Sequence, residues 1–229
     1  MKEIKLTNNE IIYQFRLPLN GANMYVLISE KRALLIDCFR DEYLLKLFVK
    51  YGIEEVTVVL THEHWDHASG VEWLREQFPS CKVLCGENAK ENLEDSRKNM
   101  SSQYKALITL RDRTRKSEVE KANIHPYEFS PDVLFSNREI YTWENHMFQF
   151  YFTPGHTSGS VCILLDEKYI FTGDSLVNGN KPVTRFPTGS QKQYDAITGP
   201  FLGSLPGEMK VFPGHGETDE LKNIIKYIL

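Results

Sequence analysis

Residues 62 to 67 constrain this chain more than any other stretch. His62, His64, Asp66 and His67 stand there together, directly after the apolar run Val56 to Leu60. Neutral imidazole and carboxylate are the main protein ligands for zinc and similar borderline cations. Donors this crowded are costly to bury unless partners satisfy their polar atoms. The spacing also excludes one arrangement. A metal-binding helix of the His-Glu-x-x-His type needs histidine where this chain has Asp66. The ligands are therefore expected on a turn after a buried strand, not along one helix face.

Three further donors share that context. His156 follows the strand-like Phe148 to Phe152 through Thr153-Pro154-Gly155. Asp174 follows Tyr169 to Thr172 through Gly173. His215 follows Met209 to Phe212 through Pro213-Gly214. Glycine permits tight turns and close backbone approach, and functional groups gather at the carboxyl ends of strands. Four strand ends delivering His or Asp predict one convergent pocket. His125 and His146 lack this setting and read as ordinary residues.

The rest of the chain supplies a frame. Its 229 residues suit one sizeable domain, expected over 1–229. Strands are predicted at Ile11 to Leu17, Asn23 to Ser29, Ala33 to Asp37, Lys82 to Cys85, Glu139 to Trp143 and Val161 to Leu165. Helices are predicted at Asp41 to Tyr51, about Ser69 to Phe78, near Gln191 to Leu202 and at Asp219 to Ile228. Residues 87 to about 125 are charged. Leu93, Met100, Tyr104, Leu107 and Arg111 recur there at helical steps. That predicts one or two amphipathic helices, forming a surface layer or a lid or dimer contact over the site.

Of the cysteines, Cys81 and Cys85 alternate with Val83 and are expected on one buried strand face, without disulfides. With 27 Lys and Arg against 31 Asp and Glu, the net charge of −4 argues against a nucleic-acid partner. No apolar run approaches the roughly 20 residues of a membrane-spanning helix. The start Met1-Lys2-Glu3-Ile4-Lys5-Leu6 has no apolar leader core, so the cytoplasm is the expected compartment.

The full donor pattern resembles the metallo-β-lactamase superfamily of hydrolases: His-x-His-x-Asp-His, then His, Asp and His, from about Asn23 to Gly216. The resemblance implies a four-layer αββα sandwich of two mixed β-sheets, with metals between the sheets at one edge. Carried over by position, His62, His64 and His156 would bind one metal. Asp66, His67 and His215 would bind a second, and Asp174 would bridge them. Asp37 matches a family aspartate that supports the site from behind, although Cys38-Phe39 follows where many members have a small residue and glycine. The implied cofactors are two divalent ions, zinc first, with iron or manganese as alternatives. The implied chemistry is hydrolysis by a water shared between the metals, with Asp66 orienting it and shuttling its proton.

The expected substrate is a small ester, thioester, lactone or related molecule. Alternatives are a phosphodiester, or iron-dependent oxidation of the persulfide-dioxygenase kind; the flavodiiron kind, which normally adds a flavodoxin domain, is not expected. Hydroxyacylglutathione hydrolases extend further past the last histidine, so their thioester is not expected. Asn99-Met100-Ser101-Ser102 resembles an Asn-Leu-Ser stretch of small bacterial glyoxalase-II-like proteins. Trp65, inside the metal loop, and Lys181, Arg185 and Tyr194, on the loop after Asp174, are candidate substrate contacts. The last three would offer an anion site.

Overall fold

The computed structural model describes residues 1–6, 10–122 and 124–227. One sheet contains β1 (Lys2–Lys5), β2 (Ile11–Arg16), β3 (Asn23–Ser29), β4 (Arg32–Ile36), β5 (Glu55–Val59), β6 (Lys82–Gly86) and β7 (Val133–Phe135), in that spatial order. The other contains β8 (Ile140–Trp143), β9 (His146–Phe152), β10 (Val161–Leu165), β11 (Tyr169–Gly173), β12 (Lys210–Pro213) and β13 (Asp219–Glu220), also in sequential order. Both sheets are mixed. The pairs β4–β5, β5–β6, β6–β7 and β11–β12 are parallel; the remaining pairs are antiparallel.

Side chains alternate across these strands with period two, and the alternation builds three apolar layers. Tyr25, Leu34, Ile36, Phe148, Phe150, Ile163, Phe171 and Phe212 meet between the sheets. Met24, Val26, Ala33 and Leu35, on the opposite face of β3 and β4, pack against helices. Cys162, Ile170 and Val211 do the same on the outer face of the second sheet. The result is the predicted αββα sandwich. Cys81, Val83 and Cys85 lie in one layer, and all four cysteines are free thiols.

The helices are α1 (Glu42–Tyr51), α2 (Trp65–Ala68), α3 (Val71–Gln77), α4 (Lys90–Leu93), α5 (Tyr104–Arg111), α6 (Lys116–Lys121), α7 (Gln191–Gln193), α8 (Gly199–Gly203) and α9 (Leu221–Ile224). In α1 the Asp41 carboxylate caps the first turn and Gly52 closes the last with φ of 63°. Its buried stripe is Leu44, Leu47 and Phe48, whereas Val49 faces outward.

Three expectations need correction. The helix predicted from Ser69 begins instead at Trp65 and breaks before α3, so Asp66 and His67 ride on a helical turn. The 87–125 segment is a series of short helical pieces. Met100 takes φ of 64°, and the Asn99 side chain ties Leu93, Ser101 and Tyr127 together, which ends helical propagation. The last helix is shorter than predicted, with Ile228 outside the described residues. No helix among the described residues is long and apolar enough to cross a membrane.

Parallel pairing places the site. Ile36 stands beside Val59, so Asp37 and the His62 turn leave the first sheet together. Gly173 stands beside Pro213, so Asp174 and His215 leave the second sheet together. Across the sandwich, the Asn23 backbone N–H donates to Gly214 O at 2.7 Å and the Tyr25 hydroxyl donates to Pro213 O at 2.8 Å. These bonds clamp the His215 turn against the first sheet.

Candidate metal centre

The predicted donors converge. His62, His64 and His156 form one group, His62, His67 and Asp174 a second, and Asp66, His67 and His215 a third. In each group the candidate ligand atoms lie within 4.8 Å of one another. Asp174 divides its carboxylate between them. Its Oδ1 is 3.5 Å from His67 Nε2, and its Oδ2 is 3.6 Å from His156 Nε2 and 3.5 Å from His215 Nε2. Asp66 Oδ2 is 3.3 Å from His215 Nε2.

Polar satisfaction tests whether cations fit. His62 Nε2, His67 Nε2 and Asp174 Oδ1 are buried without any hydrogen-bond partner, as is His64 Nε2. His64 Nδ1 and His156 Nε2 face each other at 2.9 Å. Buried polar atoms normally find partners, and here several unpaired ones point into a single cluster. A borderline divalent cation is the partner that such a nitrogen and carboxylate set accepts.

The backing is ordered. The Asp37 carboxylate accepts the Thr61 N–H at 2.7 Å and the Thr61 hydroxyl at 2.8 Å, and meets His67 Nδ1 at 2.8 Å. His67 therefore keeps its proton on Nδ1 and offers Nε2 to the cluster. His156 Nδ1 is similarly held by Val183 O at 2.6 Å.

The electrostatics divide the cluster in two. Burial holds His62 and His156 below the ordinary histidine range and brings His64 down to about 3, so their lone pairs stay free. At His67 burial opposes charge, yet Asp66, Asp37 and Asp174 raise it to about 10. Burial likewise opposes charge at His215, and Asp174 and Asp66 raise it. Burial disfavours ionised Asp66, but His67 and His215 hold it well below the usual carboxylate range. The acidic half therefore draws positive charge onto whatever it faces.

A cavity of about 780 Å³ opens over the donors. Lys181 and Arg185 line it, joined by Arg16 and Arg111, with Leu107, Leu110 and Phe186 as apolar wall. The 87–125 segment thus forms one side of the cavity through α5. Two candidate contacts do not reach it. Trp65 stacks behind Tyr104, ring centroids 4.5 Å apart, and its indole N–H donates to His125 O at 3.1 Å. Tyr194 is buried beneath Gly155, where its hydroxyl donates to Ser175 O at 2.8 Å. Both rings serve packing. His125 and His146 join no donor group among the described residues, and His146 sits between Asp166 at 2.7 Å and Glu10 at 3.1 Å.

Sequence reasoning missed three participants. The Asn20 amide N–H groups donate to Asp66 Oδ2 and, at 2.6 Å, to the Tyr104 hydroxyl. In the sequence, Asn20-Gly21 is a turn signal and nothing more. The third is Glu63, fully buried behind the ligands, where burial raises its carboxyl to about 7. Glu63 gathers the Asn92 amide at 2.8 Å and the hydroxyls of Thr157 at 3.0 Å and Thr188 at 3.2 Å. A charged residue between two histidines of the cluster was the available signal.

Comparison with known proteins extends this picture. The model of the metallo-beta-lactamase superfamily matches residues 17–215. The chain is 28% identical over 205 residues to the probable metallo-hydrolase YqgX of Bacillus subtilis (strain 168), covering 87% of this chain and 88% of that one. It is 23% identical over 193 residues to a hydroxyacylglutathione hydrolase of Francisella tularensis subsp. novicida (strain U112), covering 83% of this chain but only 61% of that enzyme. Among solved structures, the BLEG-1 B3 metallo-beta-lactamase matches with a TM-score of 0.75 and 26% identity, over 93% of this chain and 95% of that one. TTHA1623, solved in a di-iron-bound form, matches with a TM-score of 0.66 and 25% identity, over 92% and 96%. Shared sequence along most of the chain and a shared sandwich lead to one conclusion: the chain belongs to the metallo-beta-lactamase superfamily, as an enzyme of its metal-dependent hydrolase type.

Proposed function

We propose that the protein hydrolyses an ester, thioester, lactone or related bond of a small molecule, using two divalent cations. The observation that carries this reading is the set of buried, unpartnered nitrogen and oxygen atoms converging from four strand ends. His62, His64 and His156 would hold one cation, Asp66, His67 and His215 would hold the other, and Asp174, whose two oxygens face both groups, would serve either. Bound there, zinc or a similar ion supplies Lewis acidity and a water acidic enough to attack at neutral pH. Asp66 faces the cavity, orients the attacking water and carries its proton towards the leaving group. Lys181 and Arg185 attract an anionic group of the substrate at the mouth. The cavity volume suits a small molecule.

The test is a panel of thioesters, lactones, phosphodiesters and β-lactams assayed with zinc, manganese and iron. Turnover is expected in at least one hydrolytic class, and Asp174→Ala or His67→Ala should abolish it with the fold retained. Full activity in Asp174→Ala refutes the two-cation reading. The di-iron-bound form of TTHA1623 supports iron as the bound metal, which the second reading, iron-dependent oxidation of a persulfide-like substrate, would require. Iron in protein purified without added metal, together with oxygen consumption on persulfides, would select it.

A further inference from the structure

We propose that Asn20 and Tyr104 are positioning residues that set the affinity of the second cation position through Asp66. This rests on the reading above, in which Asp66, His67 and His215 hold that cation. Asn20 lies in the turn between β2 and β3, and Tyr104 opens α5. Asn20 stands 46 residues before Asp66 and 84 before Tyr104, and its amide joins the two; the Tyr104 hydroxyl also lies against the Asp66 carboxylate.

The Asn20 amide has its polar capacity assigned. Its Oδ1 accepts the Ala22 N–H at 3.1 Å, which turns Nδ2 towards the cluster. The two Nδ2 hydrogens then go to Asp66 Oδ2 and the Tyr104 oxygen. The turn that carries Asn20 is itself fixed, by Leu17 N–H to Ala22 O and Gly21 N–H to Leu17 O, both 2.8 Å. Tyr104 is 3% exposed and locked by its stack on Trp65. Neither partner of Asp66 can swing away without breaking packing.

The chemistry follows from lone pairs. A carboxylate oxygen carries two. One lone pair of Asp66 Oδ2 takes the Asn20 N–H, which leaves the other for the cluster, where His215 Nε2 lies 3.3 Å away. Outer partners of this kind orient a ligand and change metal affinity by about 10- to 100-fold when removed. No bond connects Asn20 or Tyr104 with His62, His64 or His156 among the described contacts. Their effect should therefore fall on one cation position and spare the other.

The experiment is a stepwise zinc titration of the metal-stripped full chain against a competing chelator, in wild type, Asn20→Ala and Tyr104→Phe. Wild type should take up two ions in separable steps. Asn20→Ala should weaken the second step by about 10- to 100-fold and leave the first unchanged. Tyr104→Phe keeps the ring stack, so it should fold normally; it removes the Asn20 anchor and the hydroxyl beside Asp66, and should weaken the second step while sparing the first. Circular dichroism and thermal unfolding of the stripped proteins should coincide with wild type. Two intact steps in Asn20→Ala, or equal weakening of both, would overturn the positioning role while leaving the two-cation reading in place. A single ion in wild type would overturn both.

Discussion

Asp37→Asn isolates the hydrogen bond that sets the tautomer of His67. In the native site the carboxylate accepts three bonds: the Thr61 N–H, the Thr61 hydroxyl and His67 Nδ1–H. An amide of the same shape keeps the first of these. The Thr61 hydroxyl can rotate, accept from the new amide and donate to His62 Nδ1, 3.1 Å away. His67 has no such escape. Either two donors face each other in a fully buried site, at a cost of about 1–3 kcal/mol, or the proton moves to Nε2. The first outcome destabilises the ring position that presents Nε2, and the second protonates Nε2, so either weakens it as a ligand. The expected loss at the second cation position is about 10- to 100-fold, equivalent to about 1.4–2.8 kcal/mol. The His62, His64 and His156 position should change little. Calorimetric zinc titration of stripped protein reads both steps, and thermal unfolding of the same sample checks the fold. Wild-type affinity at both positions would refute the tautomer argument.

Gly214→Ala should abolish metal uptake at the second position, since a Cβ there would sit 2.3 Å from Asp174 Oδ1 and 2.7 Å from the Gly173 carbonyl carbon; metal stoichiometry checks it. The thiols of Cys38, Cys81, Cys85 and Cys162 are buried, and burial pushes Cys81 up to about 11 and Cys85 and Cys162 to about 12. A chromogenic disulfide at pH 8 should therefore find almost no reactive thiol in native protein and four in denaturant. Lys181→Ala with Arg185→Ala should raise KM for an anionic substrate by about tenfold or less, consistent with exposed charges, while kcat holds; an unchanged KM would remove them from the substrate path.

The convergence of the candidate donors was legible because ligation demands particular residue types and strand ends demand glycine-rich turns, so both signals coincide at His156, Asp174 and His215. Strand alternation similarly exposed the layers, as with Cys81, Val83 and Cys85. Short-range reading failed where a distant contact decided. Leu93 to Arg111 has helical spacing, yet Met100 at φ of 64° and the Asn99 bonds to Leu93 and Tyr127 break the helix.

Trp65 sits among ligands in the chain but turns away from the cavity to stack on Tyr104, and Tyr194 is drawn beneath Gly155. Asn20 shows the converse, since nothing near Asn20-Gly21 indicates a carboxylate 46 residues onward. Residue chemistry and period-two patterning are local properties, so the sequence by itself determined the donor set and the layered sandwich. Which neutral side chains brace those donors, and which aromatic rings face solvent or core, depends on segments that meet only once the two sheets have packed; the tertiary structure alone decided that.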